Sequence, residues 1–423
     1  MTLSWVQIFR LGLVQACLGA IVVLMTSTLN RLMVVELALP VVLPGFLVAL
    51  HYGVQITRPN WGFLADQGGN RTRWIIAGMA MLAAGGLGAA AAIPVLESNL
   101  VLGLVLSLIA YTVIGLGVSA SGTSLLALLA TATAEQRRPA AATITWLMMI
   151  AGIALTAIVA GQFLDPYSHG RLLAIVAVIC AGALVLTVLA VWGIERRVIH
   201  RPAPPPTRFR DGIRDIWADT RARHFTFFVF LSMTAYFMQE LILEPYAGLV
   251  FGFTPGQSTS MSGAQNGGVF LGMVLVGVAA SGFRLGSLRF WVISGCMGSA
   301  GVLMAIAMAG ALGLALVPLV VALGFFNGMF AVAAIGSMMQ LAGEGRDKRE
   351  GTRVGLWGAS QAIAAGFGGL TGAALVDLAR SLLPVADAFG AVFLFQATIF
   401  IASAALAARI MSPRPRVLMV PGE

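Results

Sequence analysis

Two glutamates in an otherwise apolar segment, MQELILEPYAGLVFG, are the first side chains in this sequence that could do chemistry. Glu240 and Glu244 are four residues apart, so a helix would place both carboxylates on one face, one turn from each other. Carboxyl groups within apolar helices are rare, and they are usually paired or functional. The pair could transfer protons, contact a substrate or partner, or join a structural ion pair that closes a gate. The spacing alone does not choose among these three roles.

A second polar group ends the first apolar run, in the segment TSTLNRLMVVELALP. This segment ends the first apolar run of the chain, and the segment with the two glutamates ends the seventh. If the chain consists of two halves of six runs each, these two runs are equivalent helices that face each other across a central cavity. We predict that Arg31 pairs with Glu240 or Glu244 there, because a cation offsets the cost of a buried carboxylate. The predicted cluster at this outer mouth contains Asn30, Arg31, Glu36, Gln239, Glu240 and Glu244.

Signatures of catalysis or metal binding are missing from the sequence. The glycine spacing at residues 115–120 matches a dinucleotide fingerprint in form, but no strand precedes it, so close helix packing explains it better. Cys17, Cys180 and Cys296 lie in apolar runs without ligand-like spacing and are interpreted as packing residues. We therefore predict no catalytic residue, no metal site and no enzyme activity.

The elements that position these side chains follow from composition. The chain has 423 residues, of which 59% are hydrophobic and 10% charged, and its mean hydropathy is +0.92. Soluble domains carry about 25% charged residues. Apolar runs recur along the whole chain, and about 20 such residues suffice for a helix to cross a bilayer. The sequence predicts an all-α membrane protein with twelve transmembrane helices, whose first run is a retained helix and whose second covers residues 41–65.

The basic residues predict the orientation of these helices. The net charge of +9 could suggest nucleic acid, but its distribution favours a role in topology. With the N-terminus inside, only Arg31, Arg171 and Arg380 of the 26 Lys and Arg residues fall on the outer side. This asymmetry matches the positive-inside rule and predicts that both termini are cytoplasmic. No nucleic-acid partner is expected.

The hydrophilic segment in the middle of the chain divides it into two halves. We predict a six-helix half at residues 1–194, a cytoplasmic linker at 195–223, a second half at 224–412 and a cytoplasmic tail at 413–423. The later part of the linker could form an amphipathic helix on the membrane surface or stay solvated. An offset of 211 carries Trp146 to Trp357 and the Pro-Gly pair at 44 to the pair at 255. Two such parallel repeats are the arrangement of a major facilitator fold.

The loop after the second run, GFLADQGGNRTR, resembles the major facilitator loop signature. The matching residues of the motif are Gly62, Asp66, Gly69, Arg71 and Arg73. Gln67 replaces the usual arginine, and the second-half copy of the loop has lost its aspartate. Tyr111 also stands where proton-coupled members carry a buried arginine. The motif thus indicates the fold more strongly than transport.

The segments STLNRLMVVELALP and MQELILEPYAGLVFG resemble the PucC/LhaA family, the bacteriochlorophyll-delivery branch of the major facilitator superfamily. The resemblance covers the whole chain and adds Tyr246 to the outer-mouth cluster. The short ADQGGNRTR loop is more similar to a subgroup associated with bacteriochlorophyll biosynthesis. The family implies bacteriochlorophyll as cargo and an inner, intracytoplasmic photosynthetic membrane as the location. It implies light-harvesting α/β polypeptides, bacteriochlorophyll synthase and membrane lipids as partners.

The resemblance implies a membrane assembly factor that binds or delivers bacteriochlorophyll to antenna polypeptides, or that works with the synthase. The alternative is a secondary transporter of a small or amphipathic solute, which the fold alone supports. His51, near mid-depth of the second run, could coordinate the magnesium of a chlorophyll-type pigment or could hydrogen-bond to a neighbouring helix. Sequence reasoning leaves both roles of His51 open.

Overall fold

Twelve helices make up the fold in a computed structural model, which describes residues 3–58, 61, 70–134, 137–195, 220–283, 285–343 and 350–411. Each is an apolar run between polar breaks. They are α1 (Trp5–Glu36), α2 (Val42–Val54), α3 (Arg71–Ser98), α4 (Leu100–Ala132), α5 (Arg138–Leu164), α6 (His169–Val191), α7 (Thr220–Phe251), α8 (Pro255–Val276), α9 (Leu288–Leu312), α10 (Leu316–Gly343), α11 (Glu350–Arg380) and α12 (Val385–Ile410). No strand occurs in the part of the chain that the structure describes.

Eleven of these described helices are long and apolar enough to cross a membrane. The exception is α2, which is extended by a 3₁₀ turn at Gln55–Thr57 and is shorter than the predicted span of 41–65. The rest of that span, at 59–60 and 62–65, lies outside the described residues. The prediction of an all-α, multi-pass membrane protein is confirmed.

Short polar side chains cap the start of six of the described helices. Ser4 accepts a hydrogen bond from the Gln7 backbone, and the Gln7 side chain accepts one from the Ser4 backbone at 2.8 Å. Thr254 and Gln257 form the same reciprocal cap on α8, which opens with Pro255. Such caps satisfy backbone N–H groups that a helix leaves free at its start. At these capped helices, the polar breaks between apolar runs in the sequence are therefore specific helix starts in the structure.

The helix α1 departs from regular α geometry in its second half. Two π-helical turns occupy Leu24–Leu29 and Leu32–Glu36. A π turn hydrogen-bonds residue i to i+5 and is frequent at functional sites. A further π turn, Gly277–Gly282, follows α8.

The two halves pack in the same way. In the first half α1 lies against α5 and α6, α3 against α4 and α6, and α2 against α4. In the second half α7 lies against α11 and α12, α9 against α10 and α12, and α8 against α10. Each contact has its counterpart six helices later, as the repeat predicts, and each half has its own apolar core. This is a major facilitator fold with two six-helix pseudo-repeats.

The domain boundaries stay a prediction. The linker lies largely outside the described residues, which stop at 195 and resume at 220, and the tail at 413–423 lies outside them entirely. The helices α1 and α12 begin and end, respectively, at the same end of the bundle, which we call the proximal end. The opposite end, where α1 ends and α2 begins, is the distal end.

Candidate functional site

The two halves meet along a polar seam near the distal end. The Ser27 hydroxyl, on the first π turn of α1, donates a hydrogen bond to the Glu244 carboxylate of α7. Ser27 Oγ also lies 2.7 Å from Ser262 Oγ of α8. Glu244 is 2% exposed, and its second carboxylate oxygen has no partner. One hydroxyl of α1 therefore joins two helices of the other half around a buried carboxyl group.

Two further contacts extend the seam. Thr28 Oγ1 and Thr259 Oγ1 are 3.1 Å apart and fully buried. One helical turn from Ser27, Asn30 Nδ2 donates to the Leu241 carbonyl at 2.8 Å. The π geometry of α1 thus aligns Ser27, Thr28 and Asn30 with the second half.

Arg31 has a different partner from the one predicted. Its guanidinium forms an ion pair with Glu36, and its Nη2 donates to the Phe253 carbonyl at 2.6 Å. No ion pair joins it to Glu240 or Glu244, so the predicted pairing is wrong. Arg31 and Glu36 lie five residues apart, which is one π turn, and the π geometry brings the two side chains together. Arg31 is 2% exposed and Glu36 38%, so the pair runs from the buried seam to the distal rim.

Glu240 lies one turn deeper in the bundle than Glu244. Its carboxylate is beside the hydroxyls of Thr26, on α1, and Tyr52, on α2. It is partly exposed, unlike Glu244. It forms no ion pair with the residues that the structure describes. The two glutamates therefore do not act as one acid pair: Glu244 is held in the seam, and Glu240 faces hydroxyl groups between the halves.

Gln239 and Tyr246 do not belong to the mouth, which corrects the prediction that placed them there. Gln239 accepts a hydrogen bond from Gln396 Nε2 at 3.1 Å. The Tyr246 hydroxyl donates to the Ile306 carbonyl at 2.9 Å, and its ring packs on Phe389. Both side chains point into the core of the second half.

Two aspartates that sequence reasoning missed join the halves at the distal end. Asp165, which follows α5, accepts bonds from the Gly256 backbone N–H at 3.1 Å and from the Thr254 hydroxyl at the start of α8. Asp377, in the last turns of α11, accepts from the backbone N–H groups of Val41 and Val42 at 3.0 and 2.7 Å. Each carboxylate thus caps a helix of the other half. Their positions, four residues after Gly161 and five after Gly372, repeat between the halves and could have signalled them.

A hydrogen-bonded chain lies beside Asp165 on the distal surface. The Tyr167 hydroxyl is 3.0 Å from His169 Nδ1, and His169 Nε2 is 2.9 Å from Glu97 Oε2. Burial and, less strongly, the carboxylates of Glu36 and Glu97 raise the pKa of Tyr167 to about 12, against a smaller lowering by the Arg31 guanidinium. The neutral phenol is therefore the form that the distal surface favours.

His51 lies buried inside the first half. Its Nε2 is 3.0 Å from Gln55 Nε2, and its Nδ1 has no hydrogen-bond partner. Gln55 in turn accepts a bond from the Arg58 guanidinium. Among the described residues, the predicted hydrogen bond from the imidazole to a neighbouring helix is not formed, because Gln55 lies in the 3₁₀ extension of α2 itself. The role of His51 as a pigment ligand stays a prediction.

The facilitator loop motif is only partly described. Gly62, Asp66 and Gly69 lie outside the described residues, whereas Arg71 and Arg73 belong to the first turn of α3. The Glu195 carboxylate accepts from the Arg71 and Thr72 backbone N–H groups, each at 2.8 Å. The Arg71 guanidinium donates to the Ala127 carbonyl at 3.1 Å.

The site as a whole joins helices. Its carboxylates bind hydroxyls, backbone N–H groups, an imidazole at Glu97 or a guanidinium at Glu36. Glu240 alone lies deeper between the halves. Within the described ranges, no group of three or more His, Cys, Asp or Glu side chains could hold a metal ion. The three cysteines are buried and free.

Comparison with known proteins identifies the family. Residues 28–414 match the family described as PUCC protein. The chain belongs to the PucC family. This membership confirms the resemblance read from the ends of α1 and α7.

Relatives in the PucC family align over nearly the whole chain. The "Bacteriochlorophyll synthase 44.5 kDa chain" of Rhodobacter capsulatus is 65% identical over 416 residues, which cover 98% of this chain and 97% of that one. "Protein PucC" of Cereibacter sphaeroides is 28% identical over 406 residues, or 91% and 86% of the two chains.

Two solved structures similar to this PucC-family chain carry the names of a transporter and of a transporter homologue. A D-xylose–proton symporter superposes with a TM-score of 0.76 at 14% identity, covering 96% of this chain and 98% of the other. A bacterial homologue of the lysosomal transporter Spinster, in an inward-facing conformation, superposes with a TM-score of 0.70 at 13% identity, covering 97% and 100%. At these identities the likeness shows the major facilitator fold alone.

Proposed function

We propose that this protein is a membrane assembly factor of the photosynthetic apparatus, which binds or delivers bacteriochlorophyll. The observation that carries the proposal is the match to the PucC family over residues 28–414, together with the 65% identical relative named as a chain of bacteriochlorophyll synthase. On this proposal the cargo is the pigment, and the partners are light-harvesting α/β polypeptides or the synthase. The location is the bacterial inner photosynthetic membrane, with both termini cytoplasmic.

The chemistry of the seam supports a role without catalysis. Enzymes need a reactive group within reach of a substrate, usually a positioned acid, base or nucleophile. Here Arg31 and Glu36 neutralise each other, and Glu244 accepts from Ser27. These groups hold helices together, so the protein would assist the synthase or the antenna and would not itself form the pigment.

Glu240 is the observation that favours the second candidate, a secondary transporter. It is a carboxyl group between the halves, beside Thr26 and Tyr52, and an intramembrane carboxyl group is a common site of proton coupling. The symporter with a TM-score of 0.76 shares the fold. Under the assembly proposal, the same group would instead contact the cargo or stabilise the bundle.

The deciding experiment is purification of the full chain in mild detergent from a phototrophic host, followed by an absorption spectrum and identification of co-purifying proteins. We expect the purified protein to carry bacteriochlorophyll, or to co-purify with the synthase or with antenna polypeptides. Absence of the pigment and of all these proteins would overturn the assembly proposal.

Matched carboxyl variants separate the two candidates. Glu240→Gln would abolish pH-dependent solute uptake by a transporter, whereas an assembly factor would show no such uptake with either residue. Glu97→Gln, on the distal surface, is the control because it removes an exposed carboxylate that binds His169. Uptake that depends on Glu240 but not on Glu97 would establish the transporter instead.

The ligand role of His51 has its own test. His51→Leu should reduce pigment retention if the imidazole coordinates magnesium. Gln55→Leu, which removes the neighbour of Nε2 and the acceptor of Arg58 but keeps the imidazole, is the control and should retain the pigment. Unchanged pigment content in His51→Leu would exclude the histidine from the site.

A further inference from the structure

A groove of about 650 Å³ lies on the flank of the bundle between α5 and α8, near the distal end. Its size is within the range of about 300–1,000 Å³ found for small-molecule sites. Its walls come from both halves, since Ile158 is on α5 and Met261 on α8. The groove shares Asp165 and Phe253 with the distal contacts described above, but Ser27 and Glu244 of the seam do not line it, and the proposed function makes no use of it.

The lining of the groove changes in polarity with depth. Gln162, Asp165 and Gln257 lie at the distal end, where α5 ends and α8 begins. Toward the middle of the membrane the lining is mostly apolar, with Ile158, Met261 and Ala264, and Ser260 is the polar residue among them. Polar groups at one end and an apolar channel below them match the polarity of an amphipathic molecule with one polar head.

The groove borders a surface that faces the hydrocarbon of the bilayer. Leu155, Val159 and Phe163, on the same helix α5, are 64%, 50% and 64% exposed. Large apolar side chains with this exposure on a membrane-spanning helix contact lipid chains. A hydrocarbon chain can therefore enter the groove sideways from the bilayer, without passing through the bundle.

We infer that the groove binds one acyl chain of a bilayer phospholipid, whose headgroup lies against Gln162, Asp165 and Gln257. Phospholipid is the occupant because it is the abundant amphipath at this surface and because its polarity runs in the same direction as that of the groove. The inference goes beyond the proposed function and does not depend on which cargo the protein carries.

Binding at this place has a consequence for conformation. Because the two walls belong to different halves, the groove exists only while α5 and α8 lie together. A ligand that binds one conformation shifts the equilibrium toward it. The bound lipid therefore stabilises the conformation in which the distal ends of the halves are joined.

The test uses the full chain reconstituted in nanodiscs with phosphatidylethanolamine that carries a photoreactive diazirine in one acyl chain. After irradiation, mass spectrometry should find crosslinks concentrated in peptides that cover residues 158–165 and 253–264. Ala264→Phe fills the groove and should lower these crosslinks about tenfold. Leu155→Phe places the same phenyl ring on the lipid-facing surface of α5 and should leave them unchanged.

A second variant keeps the test informative if Ala264→Phe fails to fold. Val317→Phe narrows the groove from α10, where the side chain is 37% exposed and lies outside the contact between α5 and α8. It should also reduce the crosslinks. Crosslinks that are spread evenly over the helices, or that neither filling variant changes, would overturn the inference.

Competition with unlabelled lipids identifies which kind of molecule supplies the hydrocarbon chain in the groove. Unlabelled phosphatidylethanolamine should displace the probe from the groove peptides. If a long-chain isoprenoid alcohol displaces it and the phospholipid does not, the groove takes an isoprenoid chain and the assignment to phospholipid is wrong.

Discussion

The two flanks along which the halves meet, α2 with α11 and α5 with α8, are related by the repeat but are packed differently. Both are joined by an aspartate that caps a helix of the other half, Asp377 on the first flank and Asp165 on the second. The two flanks thus have the same kind of polar contact at the distal end. They differ in how closely the backbones of the paired helices approach each other deeper in the bundle.

On the α5/α8 flank the backbones touch over several turns. A Cβ added to Gly161 would lie 2.6 Å from the Gly256 carbonyl oxygen, and one added to Gly263 would lie 2.7 Å from the Ile158 nitrogen. Such contacts need glycine, as in other close crossings of membrane helices. Among the described glycines of the α2/α11 flank, a Cβ added to Gly45 would lie 2.8 Å from Ala373 Cβ, whereas one added to Gly366 would lie 3.4 Å from Tyr52 Cβ.

The close glycine contacts indicate that the α5/α8 flank is the more rigid of the two. The α5/α8 contact is made by backbone atoms that cannot move aside, whereas deeper contacts between α2 and α11 are ordinary side-chain packing. We therefore expect α5 and α8 to stay together and α2 and α11 to separate more readily when the halves move.

The largest effect should come from glycines on the two flanks. Gly161→Leu would force side-chain atoms into the α8 backbone and should sharply reduce the yield and thermal stability of folded protein, since overpacking costs about 1–3 kcal/mol or more. Gly366→Ala meets only ordinary contacts and should be nearly neutral. The measurement is the unfolding temperature in detergent by intrinsic fluorescence. Equal losses in the two variants would show that the flanks do not differ in this way.

A smaller effect should follow removal of charge from the aspartate caps. Asp165→Asn and Asp377→Asn each replace a carboxylate that accepts two bonds, and each should lower stability by about 1–2 kcal/mol. Because Asp377 binds two backbone N–H groups of α2, on the more loosely packed flank, its variant should also open the distal end more. Asp387→Asn, in the exposed first turn of α12, is the control.

Opening can be measured by maleimide labelling of a cysteine placed at Thr259 in the seam. Cys17, Cys180 and Cys296 are buried, so the background should be low. Faster labelling with Asp377→Asn than with Asp165→Asn is expected. The reverse order would make the α5/α8 flank the mobile one.

The smallest effect concerns pH at the distal surface of the α5/α8 flank. The pKa of Tyr167 is raised to about 12, above that of an unfolded tyrosine, so the phenol stays neutral in the folded protein where the unfolded chain has already lost its proton. Its contribution to stability is complete below pH about 10 and is lost as the pH rises toward 12. Unfolding measured between these pH values should depend less on pH in Tyr167→Phe. An identical pH dependence in both proteins would contradict the assignment.

Much of the fold could be predicted from the sequence because the bilayer imposes simple rules. Apolar runs of sufficient length give the helices, and the repeat at Trp146 and Trp357 gives the two halves. The family resemblance rested on the ends of α1 and α7, and the match over residues 28–414 confirms it. The orientation of the termini stays a prediction.

The site was harder to predict, and the reasons are local. The pairing of Arg31 with Glu36 depends on a π turn, which α-helical spacing does not foresee. Gln239 and Tyr246 are seven residues apart and therefore share a helix face that differs from the face of Glu240 and Glu244. That spacing is visible in the sequence and could have excluded Gln239 and Tyr246 from the predicted outer-mouth cluster. Asp165 and Asp377 act across helix ends, where sequence periodicity carries little information.

The two π turns of α1 give this helix a mechanical property that a regular α-helix lacks. Each holds one residue more than an α turn, so conversion of a π turn to α geometry would rotate everything beyond it by about 100° and advance it by about 1.5 Å. Arg31, Glu36 and the end of α1 lie beyond the first of these turns. The end of α1 can therefore rotate about the helix axis and shift along it, which would move Arg31 and Glu36 out of register with α7. The proximal part of the same helix would stay packed in the first half.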